Sequence, residues 1–105
     1  MEIRILYKAP GKPWQEASID NTLGAMQMTV GGYIETARIS KDTVVVCNEE
    51  GLIRGLPYNT RVMGADFVGD IFVAGTKGDE FTDVPVSLGD WKRYWIGGGQ
   101  NERYD

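Results

Sequence analysis

Residues 43–61, TVVVCNEEGLIRGLPYNTR, decide how the rest of this chain is arranged. The stretch begins with an apolar and mostly β-branched run at 43–47, which is typical of a buried strand. A polar segment follows at 48–51, and a second apolar run occupies 52–56. Two such runs around a short polar segment that ends in glycine predict a β-hairpin, in which Gly51 supplies a positive φ.

Short segments of alternating polarity lie on both sides of this stretch. In residues 2–8, Ile3, Ile5 and Tyr7 share one face, which predicts a half-buried strand. Residues 14–19 are expected to pair back on it as a hairpin. Further extended segments are predicted at 33–39, 68–75 and 81–86, and residues 62–67 are expected to be irregular.

Two other segments have helical spacing. Residues 22–30 carry apolar side chains on one face, and the glycine pair at 31–32 ends this helix with a left-handed residue. Ser87 and Asp90 form an S-x-x-D capping pattern, which predicts a second helix from Leu88 to about Ile96. The expected apolar faces consist of Leu23, Met26 and Val30 in the first helix and of Leu88, Trp91 and Trp95 in the second, with Asp20 or Asn21 as the first N-cap.

The order of these segments contains no β-α-β alternation. It therefore predicts an α+β fold with one mixed or antiparallel sheet of short strands, about five to seven of them, and two short helices. The 105 residues suffice for one domain, which we expect at 1–96. After the glycine run at 97–99, residues 97–105 are expected to form a flexible polar tail.

Composition and charge exclude several classes of function. Eleven basic and fifteen acidic residues give a net charge of -4, which argues against general nucleic-acid binding. No apolar run approaches the roughly 18 residues of a membrane span, and the N-terminus lacks the layout of a signal peptide. The single cysteine, Cys47, cannot form an internal disulfide, so we expect a cytoplasmic protein.

The residues of the chain do not suggest an enzyme. There is no histidine, which removes the commonest general base and most zinc sites. Cys47 has no base to activate it and is expected to be a small buried hydrophobe. The acidic residues match no EF-hand loop. We therefore expect a non-enzymatic protein without catalytic residues, metal ligands or a cofactor.

The segment after Pro57 combines a ring, an amide and a cation. Arg61 can hold a phosphate through two hydrogen bonds, Tyr58 can stack on a base, and Asn59 can bind a base edge. In the alternative interpretation, this segment covers a sheet edge and Arg61 pairs with a surface acid.

The polar turn of the predicted hairpin is a second candidate. The side chains of Asn48 and Glu49 can hold a ribose hydroxyl or a base edge, although turn chemistry alone explains both residues. A hairpin turn and the loop after its return strand can approach one rim of a sheet. The predicted binding site for a small anionic, nucleotide-like ligand consists of Tyr33, Asn48, Glu49, Tyr58, Asn59 and Arg61.

The chain is rich in aromatic residues, with three tryptophans and five tyrosines. At helical spacing, Trp91 and Trp95 are expected to belong to the core rather than to a binding platform. Because aromatic residues are enriched in interfaces, we expect a homodimer or a larger homo-oligomer.

Several short motifs in a fixed order resemble one small family. They are the P-G-K-P turn at 10–13, V-G-G-Y-I-E at 30–35, V-C-N-E-E-G at 46–51, G-L-P-x-N at 55–59 and V-G-D at 68–70. In this combination, over residues 1 to about 96, the chain resembles the domain-of-unknown-function family 3846 of tailed phages, prophages and mobile elements. It departs from the family after Leu88, where Gly89 and a tryptophan-rich segment follow.

The resemblance implies a small cytoplasmic accessory protein of a phage or mobile element, and it implies no activity. Many such proteins counter host defence, either by sequestering a nucleotide signal or by binding a host defence or restriction protein. The sequence therefore predicts a binding protein for a small nucleotide-type immune signal, with an inhibitor of a host protein as the alternative.

Overall fold

A computed structural model describes residues 1–95. Most of this part of the chain forms one antiparallel sheet with the strand order β2-β1-β7-β4-β3, and β8 pairs with the far end of β7. The strands of this main sheet are β1 Glu2–Lys8, β2 Gln15–Asp20, β3 Ile34–Ser40, β4 Thr43–Asn48, β7 Ile71–Lys77 and β8 Glu80–Thr82. A small second sheet pairs β5 Tyr58–Val62 with β6 Ala65–Val68. The predicted α+β class and sheet are confirmed.

The main sheet is covered on both faces. Helix α1, Leu23–Val30, packs on one face through Met26 and Val30, beside Ile3 and Ile5 of β1. The second core cluster includes β5–β6 residues and two tryptophans; its buried members are Leu6, Trp14, Val45, Val62, Phe67, Ile71, Val73, Val84 and Trp91. Burial on both faces explains why β4 is a continuous β-branched run rather than an alternating one.

Helix α1 begins one residue later than expected. Thr22 is its N-cap, since its hydroxyl accepts a hydrogen bond from the Ala25 N–H at 3.1 Å. The predicted caps are used elsewhere: Asp20 pairs with Glu2 in the β1–β2 hairpin, and Asn21 Nδ2 donates to the Phe81 carbonyl. Gly31 ends the helix at φ 82°, as expected.

The second helix also starts as its capping pattern predicts. The Ser87 hydroxyl accepts from the Asp90 N–H at 3.1 Å, and α2, Leu88–Asp90, continues as a π-helix, Trp91–Trp95. Trp91 is fully buried, stacks on Trp95 at 5.7 Å between ring centroids and meets the edge of Trp14 at 5.1 Å. The core role of these rings is confirmed. The predicted tail, 97–105, lies outside the described residues.

The predicted central hairpin is wrong in its second half. Residues 49–56 form successive turns instead of a strand, with hydrogen bonds from Arg54 N–H to Glu50 O at 2.9 Å and from Leu56 N–H to Gly51 O at 3.0 Å. The positive φ belongs to Gly55, at 69°, and not to Gly51. We call residues 49–56 the apolar-tip loop, because the exposed side chains of Leu52 and Ile53 lie at its centre.

The irregular segment predicted at 62–67 is instead part of a hairpin. Strands β5 and β6 are joined by Met63 and Gly64, whose φ angles of 51° and 83° fit a tight turn with two left-handed residues. Gly64, within the segment expected to be irregular, makes the turn. No helix among residues 1–95 is both long enough and apolar enough to cross a membrane.

Candidate functional site

The six residues of the predicted ligand site have unlike surroundings. Asn48 is 5% exposed at the end of β4. Its Nδ2 donates to the Val30 carbonyl at 3.1 Å, and its Oδ1 accepts from the Glu50 N–H at 2.8 Å. The amide therefore ties the end of α1 to the apolar-tip loop, and it lies inside the molecule.

Asn59 has the same structural role in β5 and is 8% exposed. Its Nδ2 donates to the carbonyls of Lys8 and Gly69, at 2.9 and 2.7 Å. Its Oδ1 accepts from Lys8 Nζ at 2.9 Å, and burial lowers the pKa of that amine. Both N–H groups and the oxygen of this amide are thus engaged within the protein.

Arg61 is exposed, and its guanidinium is paired. Its Nε and Nη2 donate to the two carboxylate oxygens of Asp66 at 3.1 and 3.0 Å, and the Tyr58 hydroxyl donates to the same carboxylate at 2.9 Å. The Tyr58 hydroxyl and Arg61 lower the pKa of Asp66. This is the alternative interpretation of the sequence, in which Arg61 pairs with a surface acid across a hairpin.

Tyr33 and Glu49 do lie side by side. The Glu49 N–H donates to the Tyr33 carbonyl at 2.8 Å, and both side chains are exposed. The structure therefore joins Tyr33 and Glu49 and gives Asn48, Asn59 and Arg61 internal partners. Ligand binding by the six residues stays a prediction.

A groove of about 400 Å³ opens beside this region, between β3–β4, β6 and the apolar-tip loop. Its acidic members are Glu35, Glu49 and Asp66, and its lining includes no lysine or arginine. Within residues 1–95, Asp66 is paired with Arg61, whereas Glu35 and Glu49 have no ion-pair partner. The apolar members are Ala37, Cys47, Leu52, Ile53, Phe67 and Val68.

The cysteine in this groove lies in surroundings that disfavour its thiolate form. Cys47 is half-buried, and burial, together with the charge of Glu35, raises the pKa of its thiol to about 11. The protonated thiol adds apolar surface to the groove. The Glu35 carboxylate therefore makes the electrostatic potential negative beside the Cys47 thiol in the groove.

The apolar-tip loop is held in place from several sides while its tip is open to solvent. Arg54 Nη1 donates to the Gly31 carbonyl at 3.0 Å, next to the bond from Asn48 to Val30. A Cβ on Gly32 would lie 2.9 Å from Asn48 Nδ2 and 3.1 Å from Arg54 Nη1, so only glycine leaves room for both anchors. At the tip, Leu52 is 83% exposed and Ile53 is 90% exposed.

Sequence reasoning missed Glu35, Leu52 and Ile53. The predicted hairpin places the two aliphatic residues in its return strand, because a short apolar run between glycines resembles a strand. A signal against that assignment was present: residues 51–57 contain two glycines and a proline and show no alternation, which is typical of turns.

The motifs that carry the family resemblance meet around this loop. The segment at 30–35 supplies the Val30 and Gly31 carbonyls, the segment at 46–51 supplies Asn48, and Pro57 O accepts from the Gly69 N–H at 2.8 Å. These motif residues therefore position the apolar-tip loop.

Comparison with known proteins gives one match. Residues 3–95 match the sequence profile of a domain of unknown function, DUF3846. No curated protein and no solved structure matches the chain. Because the match spans nearly all of the 105 residues, the chain belongs to the DUF3846 family.

Proposed function

We propose that this protein is a non-enzymatic binding protein, whose groove and apolar-tip loop hold part of a partner protein. The observation that carries the proposal is the placement of exposed Leu52 and Ile53, on an anchored loop, at the side of an apolar groove. Apolar surface that is exposed and contiguous marks protein interaction sites. The anchors of the loop favour a preformed surface, which reduces the entropic cost of association.

The charge of the groove favours a protein over a nucleotide. Three carboxylates and no cationic side chain line it, so a phosphate group would be repelled. A cationic side chain beside the groove would favour a phosphate, and the predicted cation, Arg61, is held by Asp66. Sequestration of a nucleotide-type signal remains the competing proposal, and the experiment below separates the two.

The resemblance carried by the sequence motifs gives the proposal its biological setting. The role implied by the resemblance is that of an accessory protein of a phage or mobile element in the host cytoplasm. In that setting the partner is a host defence or restriction protein, and binding inhibits it. Self-association into a homodimer or larger assembly is part of the same proposal, since Tyr33, Tyr58 and Tyr94 are exposed and aromatic residues are enriched in interfaces.

The proposal is tested by isolating the protein from infected, defence-bearing cells and measuring its complexes by native mass spectrometry. The test variant is Ile53→Asp, which places a charge at the loop tip. Met28→Asp is the matched control, because Met28 is 86% exposed on α1 and does not line the groove. Neither change touches a buried residue, so both variants should fold like the parent.

We expect a protein partner that co-purifies with the parent and with Met28→Asp and is lost with Ile53→Asp. A bound small molecule of nucleotide mass, retained by all three proteins, would instead support sequestration. A partner that binds Ile53→Asp as well as the parent would show that the groove is not the binding surface.

A further inference from the structure

Strand β3 ends the main sheet on the side of the groove. It pairs with β4 and, within residues 1–95, with no other strand. The outer side of an edge strand presents unpaired N–H and C=O groups, to which an extended peptide can add. Its exposed residues include Glu35 and Thr36.

The register of β3 shows which of its backbone groups point outward. Ile34 lies opposite Asn48, so Tyr33 lies opposite Glu49, and the hydrogen bond from Glu49 N–H to Tyr33 O marks a bonded pair. Bonded and non-bonded pairs alternate along an antiparallel ladder. The N–H and C=O of Thr36 therefore point away from β4, toward an added strand.

Two side chains of β3 line the groove, so a strand added to β3 would lie beside the groove. Glu35 and Ala37 alternate onto the groove face, opposite Cys47 and Val45 of β4. A strand added along β3 would place every second side chain over the groove. Those side chains would meet the carboxylate of Glu35 and the apolar residues that line the groove with it.

We infer that β3 accepts an extended segment of the partner protein as an added strand, with Lys or Arg and apolar side chains alternating over the groove. The inference rests on the proposed function and names the kind of segment that the groove takes. Charge complementarity carries it, because Glu35 and Glu49 have no cationic partner within residues 1–95. A second copy of this chain lacks that complementarity, since its net charge is -4 and β2, the strand at the opposite end of the main sheet, carries Glu16 and Asp20.

The probe is a displayed library of random linear peptides of about ten residues, the length of a long strand, selected on the full chain. We expect the selected peptides to be rich in Lys or Arg and β-branched residues and to lack proline. Each is then synthesised with single N-methyl groups along its backbone. N-methylation at alternate positions, where the N–H faces β3, should abolish binding, and methylation at the positions between should not.

The matching variant on the protein is Thr36→Pro, which removes an N–H that β4 does not use. Proline is tolerated in an edge strand when its N–H faces solvent. Loss of one backbone hydrogen bond should raise the Kd of the selected peptide about tenfold, while Thr36→Val, which keeps the N–H, should change it by less than about twofold. Calorimetry gives both values, and if Thr36→Pro does not fold, the N-methyl series on the parent protein decides.

Strand addition is wrong if the library yields no binding peptide or if the selected peptides tolerate N-methylation at every position. Those results leave the proposed function standing when Ile53→Asp still loses the co-purified partner. If peptides add to β3 but no co-purified partner depends on Ile53, the proposed function is wrong and strand addition stands.

Discussion

The two ends of β5 show opposite uses of polar side chains. Asn59 is buried, and its amide holds the backbone of two neighbouring segments. Arg61 lies two residues on and is exposed, in a pair with Asp66 on the next strand. The pairing shows why: Tyr58 lies opposite Val68 and Thr60 opposite Phe67, so β5 has a bulge at Asn59. A bulge re-aims a side chain, and it turns the amide inward while the guanidinium stays at the surface.

This difference separates residues that stabilise the fold from residues that are free to vary. Buried amides such as Asn48 and Asn59 are costly to remove, because the groups that they satisfy are left without partners. Exposed pairs such as Arg61–Asp66 contribute little, because water screens both charges. The effect of a substitution on the free energy of unfolding should therefore depend more on whether the side chain is buried or exposed than on the chemistry of the side chain removed.

The largest effect is expected for Asn59→Ala. The change leaves the carbonyls of Lys8 and Gly69 without a donor, and we expect the free energy of unfolding to fall by about 2–3 kcal/mol. The thermal midpoint should fall by about 10 °C or more. Urea unfolding measures the first quantity and calorimetry the second.

Asn21→Ala is the graded control for this prediction. Among residues 1–95, the Asn21 side chain makes one hydrogen bond, to the Phe81 carbonyl, so its loss should cost about 1 kcal/mol. If the two variants lose the same free energy of unfolding, the distinction is wrong between the bulge amide, which joins two segments, and an amide that makes one hydrogen bond.

A smaller effect is expected where the anchors of the apolar-tip loop crowd a glycine. Gly32→Ala would push against Asn48 and Arg54, and we expect it to destabilise the protein by about 1–2 kcal/mol. Gly24→Ala should do the opposite, because Gly24 lies in α1 with open space around it and alanine favours a helix by roughly 0.5–1 kcal/mol. Chemical denaturation of both variants checks the signs, and a stable Gly32→Ala would mean that the loop is not held as the structure indicates.

The fold could be predicted from patterns that act locally. Alternation located β1, and the β-branched run located β4. Apolar spacing and the closing glycine pair located α1, and the S-x-x-D capping pattern located α2. The conformation of the apolar-tip loop and the surroundings of Arg61 could not be predicted in this way. The first depends on turns that leave Leu52 and Ile53 in solvent, and the second on a bulge at Asn59, and neither leaves a period in the sequence.

The smallest effect is expected for Arg61→Ala, at the exposed end of β5. The thermal midpoint should be nearly unchanged at neutral pH, since the pair with Asp66 is open to water. The pKa of Asp66 is lowered from 3.8 by the Tyr58 hydroxyl and by Arg61, so the interaction is present above that value and is lost as the pH falls through the lowered pKa. The small difference between parent and variant should therefore disappear in acid.

Thermal scans of parent and Arg61→Ala from neutral pH into acid well below 3.8 test this, because the interaction is lost only as the pH falls through the lowered pKa of Asp66. The same variant also tests, in a second measurement, whether Arg61 binds a nucleotide. If Arg61 is a surface pair only, calorimetry with cyclic dinucleotides and ADP-ribose derivatives should give the same absence of binding for both proteins. A nucleotide that binds the parent and binds Arg61→Ala about tenfold or more weakly would mean that a ligand displaces Asp66. The exposed end of β5 would then be the functional one.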